Sequence, residues 1–348
     1  MDLGSLLDVT REALSALGGT LATPFLDHGQ ISSLASLLAA FVVGLGYLAF
    51  RQMSRRRRLR LRVLLRAQFR TFRWRPTLKA DLFYFILNAF LLGAILGGAL
   101  LSFAAVSGAT GAVLVRLFGV APTPVMPELA ARIVITLALF LAYEFGYWVD
   151  HWLSHRVAFL WDFHKVHHSA EELTPLTVWR VHPIESLKFA NILALSTGVT
   201  SGIGHYGLGA DAHEYAVSGT NVILVGFIYA YLHLQHTHLW IPFGGLLGRL
   251  LQSPAHHQIH HSSHPRHHNR NFGSCLAVWD WAFGTLYVPG REPEKLHFGI
   301  DARHAHDHSM MEILVRPFIL ALSRIPRALR KRHLDSLVIA SGAKQPRS

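Results

Sequence analysis

Apolar and polar positions in this chain fall in long blocks, not at the spacing of a soluble helix. Ile31 to Phe50 carries no formal charge over twenty residues, enough to cross the roughly 30 Å hydrocarbon core of a bilayer. Arg51 to Lys79 then holds twelve Lys and Arg and no acid, the mark of a cytoplasmic loop beside apolar spans. Leu82 to Val115 is again uncharged but too long for one straight crossing. It reads as a span plus an outer segment that re-enters, with Gly93, Gly97 and Gly98 allowing close helix packing. Pro122, Pro124 and Pro127 mark an outer connection, and a third span runs from Ile133 to Val149 with Glu144 inside it. Phe189 to Gly204 and Tyr215 to Leu232 together read as a hairpin that leaves the cytoplasmic face and returns to it. After Trp240 the chain turns polar and basic, a cytoplasmic cap ending in an amphipathic stretch, Ile313 to Arg332, that lies on the membrane surface. Residues 1–30 place Asp2, Asp8, Arg11, Glu12 and Asp27 among apolar positions, the pattern of an amphipathic surface segment and not of a signal peptide.

The expected architecture is therefore an all-α integral membrane protein with about five crossings, two of them a hairpin, and a helical cytoplasmic cap. The expected units are an N-terminal amphipathic segment (1–30), transmembrane helices (31–130) around the basic loop 51–79, a catalytic region (131–290) and a basic tail (291–348). Composition agrees. Of 348 residues 51% are hydrophobic and 16% charged, against about 25% charged in soluble domains. The net charge of +12 would suit nucleic acid, but the basic residues adjoin apolar runs, so a membrane face accounts for them better. Cys275 is the single cysteine, which rules out an intrachain disulfide and a CxxC metal site.

Histidine changes the picture most. Between Glu144 and His168 the chain sets His151 and His155 four apart, then His164, His167 and His168. Residues i and i+4, or i and i+3, share a helix face, so each cluster can aim its imidazoles at one point. A lone histidine here would be a core residue with a hydrogen-bond partner. Five at this spacing, joined by His236 and by His257, His260 and His261 on the same side of the membrane, point to ligands. Nine imidazoles oversupply one ion, so two metals are expected. With no CxxC and no paired Glu-x-x-His, the donor set is almost wholly nitrogen, which suits iron, zinc, copper or nickel. The apolar setting favours a pair of irons activating dioxygen against a C–H bond.

The words HWLSH, LWDFHKVHHS, RVHPIE, LQHTH, SPAHHQIHHS and WDWAFGTLYVP, in this order over about residues 135–290, resemble the fatty acid hydroxylase superfamily, also called the sterol desaturase family. The resemblance implies a bacterial-type integral membrane di-iron oxygenase that hydroxylates or desaturates a sterol, fatty acyl or related lipid with O2. It also implies electrons from a separate donor, a ferredoxin or a b-type cytochrome with its reductase, and no nucleic-acid partner. It maps the HxxxH box to His151 and His155, the first HxxHH to His164, His167 and His168, the last to His257, His260 and His261, and the central histidine to His236. No side chain beyond the ligands is expected to be catalytic, and zinc can stand in for iron in purified samples. Glu144 replaces the usual Asp of the third span, and His238 stands where the family has Asn. His182, in the word with Arg180, Pro183 and Glu185, is either a further ligand or a group that steadies one, as are Glu185, His233 and Glu144. His256 reads as a neighbour of the ligands. Trp148 and Trp152 are expected in an interfacial belt, and the WDW word is expected to pack the cap against the metal-bearing helices. The expected location is the bacterial inner membrane with the metal site facing the cytoplasm. The rival readings are a zinc-dependent membrane lipid hydrolase, which needs only three histidines and an acid, and a metal transporter, whose site would lie near the bilayer midplane.

Overall fold

The computed structural model describes residues 22–97, 101–123, 126–209, 212–300 and 308–324. The expected amphipathic surface segment of residues 1–30 therefore lies mostly outside the described residues, as does the chain beyond 324. The described chain is mostly helical. Its strands are limited to a two-residue antiparallel pair, Ala216–Val217 with Thr220–Asn221.

Helix α1 is Leu34–Ser54, started by the Ser33 hydroxyl, which accepts from the Ser36 amide at 3.1 Å. The arginine run follows it and leads into α2, Leu61–Gln68. The long uncharged block divides into α3, Pro76–Gly97, and α4, Phe103–Phe118. Ser102 caps the start of α4, and Gly119 ends it at φ +83°, a conformation that favours glycine. Helix α5, Glu128–Arg156, is 29 residues long, about 44 Å, so its last two turns extend past the length a bilayer needs. Among the described residues, α1 and α5 are long and apolar enough to cross a membrane.

Val157 alone separates α5 from α6, Ala158–His168, and caps both in an extended conformation. This one-residue elbow turns α6 back against the histidine end of α5. A 3-10 turn, Pro175–Trp179, leads to α7, Pro183–Leu208, which has Pro at its first position where no amide is needed. Helix α7 packs against α4 and α5 along its small residues. A Cβ at Gly202 would lie 2.6 Å from the Ser107 carbonyl oxygen and from Thr110 Cβ, and one at Gly198 would lie 2.7 Å from Val106 Cβ. Ser107 and Ser201 hydroxyls bond across the same contact at 3.1 Å.

The second arm of the expected hairpin differs from an unbroken span. Ser218 and Gly219 take positive φ in a tight turn, and Asn221 caps a helix of only nine residues, α8, Val222–Ala230. The Ser-Gly-Thr-Asn run is turn chemistry and outweighs the lack of charge. Short helices α9 (Leu247–Leu250), α10 (Pro254–His260) and α11 (Val278–Ala282) complete the cap region, and residues 310–324 form a further helical stretch.

Buried ions tie these pieces together. Arg180 and Asp81 are fully buried, with Nε donating to Oδ1 at 2.7 Å. Asp81 Oδ2 also accepts from Thr174 and Thr177 hydroxyls at 2.9 and 2.8 Å. Arg180 reaches the Thr77 carbonyl and the Ser169 hydroxyl at the end of α6. Asp280 takes five donors: Trp148 Nε1, Thr285 Oγ1, Gln252 Nε2 and the amides of Phe272 and Gly273. The WDW word does pack this region against α5. Trp148, however, is buried and stacks on Phe283 at 4.5 Å, so it is a core contact and not part of an interfacial belt.

Close packing at α7 makes a testable claim. Gly202→Ala should destabilise the protein by about 1–3 kcal/mol through overpacking against α4. Gly207→Ala on the same helix, where an added Cβ meets nothing within 4 Å, should be roughly neutral. Thermal unfolding in detergent compares them, and equal melting temperatures for the two variants would contradict this packing.

Candidate metal centre

The structure gathers all nine candidate histidines into two groups. His151, His155, His164, His168 and His260 form one, and His167, His236, His257 and His261 the other, with the candidate ligand atoms of each group within 4.8 Å of one another. Helical spacing explains the sorting. On α6, His164 and His168 are four apart and face the first group, while His167 between them faces the second. On α10 and its C-cap the pattern is reversed: His257 and His261 face the second group and His260 the first. Each HxxHH word thus gives its i, i+4 pair to one group and its inner histidine to the other. Helix α5 adds His151 and His155, and the turn after the 3-10 helix Leu232–Leu234 adds His236.

The far side of three rings in the five-histidine group is held. His151 Nδ1 donates to the Phe272 carbonyl and His260 Nδ1 to the Arg270 carbonyl, each at 2.8 Å. His164 Nδ1 donates to the Glu185 carboxylate. A carbonyl only accepts, so His151 and His260 carry their proton on Nδ1 and present a bare Nε2. Nε2 of His151, His155 and His164 is buried with no hydrogen-bond partner among the described residues.

In the four-histidine group the Nε2 atoms face one another. His236 lies 3.2 Å from His167, 2.9 Å from His257 and 3.2 Å from His261, and His257 and His261 are 3.1 Å apart. A neutral imidazole donates one proton, so these contacts cannot all be hydrogen bonds. Nitrogens about 2.0–2.1 Å from a shared cation would be separated by about 2.9–3.4 Å in common coordination polyhedra. Both the orphaned nitrogens and these separations fit a pair of metal ions. Burial holds His167 and His260 near 3, and His168, His236, His257 and His261 well below the usual imidazole range, so at neutral pH all six are uncharged donors.

The other predicted positions lie outside both groups. Glu185 supports His164. His182 spends both nitrogens on backbone, bonding the Leu314 carbonyl at 3.1 Å and accepting from the Ile184 amide at 3.2 Å as the N-cap of α7. His233 bonds Ser36 of α1 at 3.1 Å and stacks on Trp179. Glu144 accepts from the amides of Cys275 and Leu276 at 2.9 and 2.7 Å, tying α5 to the cap loop. His256 is a neighbour, as expected, bonded to Ser253 and to the Gly248 carbonyl. Sequence reasoning missed the carbonyls of Phe272 and Arg270, because backbone acceptors leave no mark in residue type.

A cavity of about 630 Å³ reaches this centre, with His155, His168, His260 and His261 on its wall.

Comparison with known proteins fits this geometry. The fatty acid hydroxylase family model matches residues 136–285, the stretch that carries all nine histidines. The chain is 30% identical over 185 residues to the ornithine lipid hydroxylase OlsE of Rhizobium tropici, covering 53% of this chain and 50% of that protein. It is 30% identical over 164 residues to alkylglycerol monooxygenase of Xenopus tropicalis and 29% to that of Homo sapiens, in each case 46% of this chain and 32% of the relative. The matches thus span half the length of these relatives or less. No solved structure matches this chain.

Two outcomes follow from the site. Glu185→Gln keeps an acceptor but removes the charge behind His164, so a chelator titration of the metal-loaded variant should release one ion at about 10- to 100-fold lower chelator while the other is held as before. Simultaneous loss of both ions would contradict two separable groups. In the metal-free protein the depressed histidines favour the unfolded chain, which binds more protons below its ordinary pKa near 6.5. Stability should be greatest above about pH 6.5 and fall as pH drops toward 5. The raised carboxyl of Asp280 opposes this but is outnumbered. A melting temperature that rises on acidification from pH 7 to 5 would contradict it.

Proposed function

We propose, from the match of residues 136–285 to the fatty acid hydroxylase family model, that this protein is a membrane-bound oxidoreductase, a non-haem di-iron hydroxylase or desaturase that uses O2 on C–H bonds of a sterol, fatty acyl or related lipid. The observation that carries the reading is the division of nine buried imidazoles into groups of five and four. A single-zinc lipid hydrolase would leave more than half of them without a task. The relatives named above act on lipids, an ornithine lipid in one case and alkylglycerols in the other, and a lipid is the substrate class proposed here.

When bound, the two irons supply dioxygen activation and the oxidising power needed for an inert C–H bond. The chain supplies the rest. Helices α5, α6 and α10 aim the ligands, and Glu185 with the carbonyls of Phe272 and Arg270 fixes the rings before any ion arrives. The packed wall of α5, α6 and the cap region limits water, which protects a strongly oxidising site from idle turnover. Hydroxylation consumes one O2, two electrons and two protons for each alcohol and water formed. The electrons come from a separate ferredoxin or b-type cytochrome with its reductase.

In the proposed topology α1 and α5 cross the membrane, and the α3–α4 block and the α7–α8 hairpin make up about five crossings. The basic stretch 51–79 then lies in the cytoplasm by the positive-inside rule. The cap and the metal centre face the same side, in a bacterial inner membrane.

Metal analysis of the purified, iron-loaded protein tests the reading. It should return close to two ions per chain, and His257→Ala, which removes a ligand of the four-histidine group alone, should bring this near one. One tightly held zinc, unmoved by replacing His257, His260 and His261, would overturn the di-iron assignment and favour the hydrolase.

A further inference from the structure

The cavity against the five-histidine group has a charge pattern that the metal chemistry does not require. Its wall includes Trp161, Lys165 and Arg324 and, among the described residues, no Asp or Glu. Lys165 follows His164 on α6 and stands three residues before His168, so it shares a helix face with a ligand. Its ammonium donates to Asp162 Oδ1 at 2.8 Å. Arg324, from the helical stretch 310–324, grips the same carboxylate through Nε and through an Nη2 bond of 3.0 Å. Asp162 is fully buried behind them. One carboxylate thus serves two cations, and the trio carries a surplus positive charge beside the cavity.

We propose that this cavity binds an anionic group, phosphate or carboxylate, of the lipid substrate through Lys165 and Arg324. The inference deepens the lipid-oxygenase reading above and rests on it. A cation with half a counter-ion is best satisfied by a second anion in the same recess. Surroundings favour a lipid's head group over other sources of that anion. The stretch that carries Arg324 exposes Met311, Ile319 and Leu322 at 62, 57 and 61%, an apolar outer surface suited to the membrane interface. An amphiphile whose chain lies in that interface can therefore bring its charged end to Arg324 without leaving the lipid. Lys165 is only 5% exposed, within reach of a small head group entering the recess and out of reach of the broad face of a folded protein. Lys165 and Arg324 act here as positioning residues, setting which end of the substrate sits nearest His155, His168 and His260.

Binding to the metal-loaded protein, held without oxygen in phosphatidylcholine nanodiscs so that no turnover occurs, provides the test. Octyl phosphate should bind at least about tenfold more tightly than octanol, and Arg324→Gln and Lys165→Gln should each lower that preference about tenfold, the scale of one charged hydrogen bond. Arg324→Lys, which keeps the charge, should retain most of it. Metal content measured on each variant reports whether the centre is intact. Equal binding of octyl phosphate and octanol, or a preference that survives both Gln variants with the centre intact, overturns the proposal. Inorganic phosphate binding as tightly as octyl phosphate would make this a free-anion site and overturn the lipid assignment. Variants that lose affinity for an acidic ferredoxin while keeping octyl phosphate would make it a protein-docking surface and also overturn it. A protein that holds fewer than two ions yet passes the octyl phosphate arms fails the di-iron reading and not this one.

Discussion

Everything in this fold answers to one constraint: nine uncharged imidazoles must be kept dry and aimed at two points. An imidazole stripped of water loses hydrogen bonds worth several kcal/mol unless each nitrogen finds a partner. The chain meets this on one side of three rings with the carbonyls of Phe272 and Arg270 and with Glu185, and leaves their other side for cations. The elbow at Val157 makes that possible. Were α5 and α6 one continuous helix, His151 and His168 would lie about 25 Å apart along its axis. A single extended residue folds the two sets of ligands onto each other instead.

Support for the ligands runs through buried acids that touch no ligand nitrogen. The Phe272 amide donates to Asp280 while its carbonyl accepts from His151. One peptide segment thus links the hub of the cap region to the metal centre. Gly273 belongs to the same segment, and a Cβ there would strike the Leu276 carbonyl oxygen at 2.1 Å, so the loop approaches Asp280 only because this position is glycine. Glu144 holds the amides of Cys275 and Leu276 from inside α5. Asp81 and Arg180 do the same for the far end of α6 through Ser169. Removing either partner of that buried pair would leave an uncompensated charge, far costlier than losing a surface salt bridge.

Much of this was legible in the sequence, for a physical reason. Ligand spacing on a helix is local information, and i, i+3 and i+4 offsets picked out eight of the nine histidines before any contact was known, with His236 assigned through the family resemblance. Spans one and three were legible because a soluble helix of bilayer length needs charged residues on its wet face, and these runs have almost none. What was not legible needed long-range partners or turn chemistry. Glu144, His182 and His233 read in the sequence as further ligands or as groups that steady one, and only the structure supplies their distant partners, the 275–276 amides, the Leu314 carbonyl and Ser36. Trp148 looked interfacial because its neighbours in sequence are membrane residues, while its neighbours in space are Phe283 and Asp280. The start of the hairpin's second arm was not legible from missing charges alone, because Ser218–Asn221, a stretch whose residues are typical of a turn, delays the helix to Val222.

The two groups are not equivalent, and the difference bears on how the centre works. Three rings of the five-histidine group are locked from behind, whereas Nδ1 of His236, His257 and His261 is buried with no acceptor among the described residues. Locked rings hold their geometry, because each would have to break a hydrogen bond in a dry site to turn. Unlocked rings can pivot at less cost. The cavity wall draws His155, His168 and His260 from the five-histidine group and His261 from the other, and of these His260 is one of the three locked rings. The rings with room to turn lie mostly behind the cavity wall, where a change in their orientation alters that wall least.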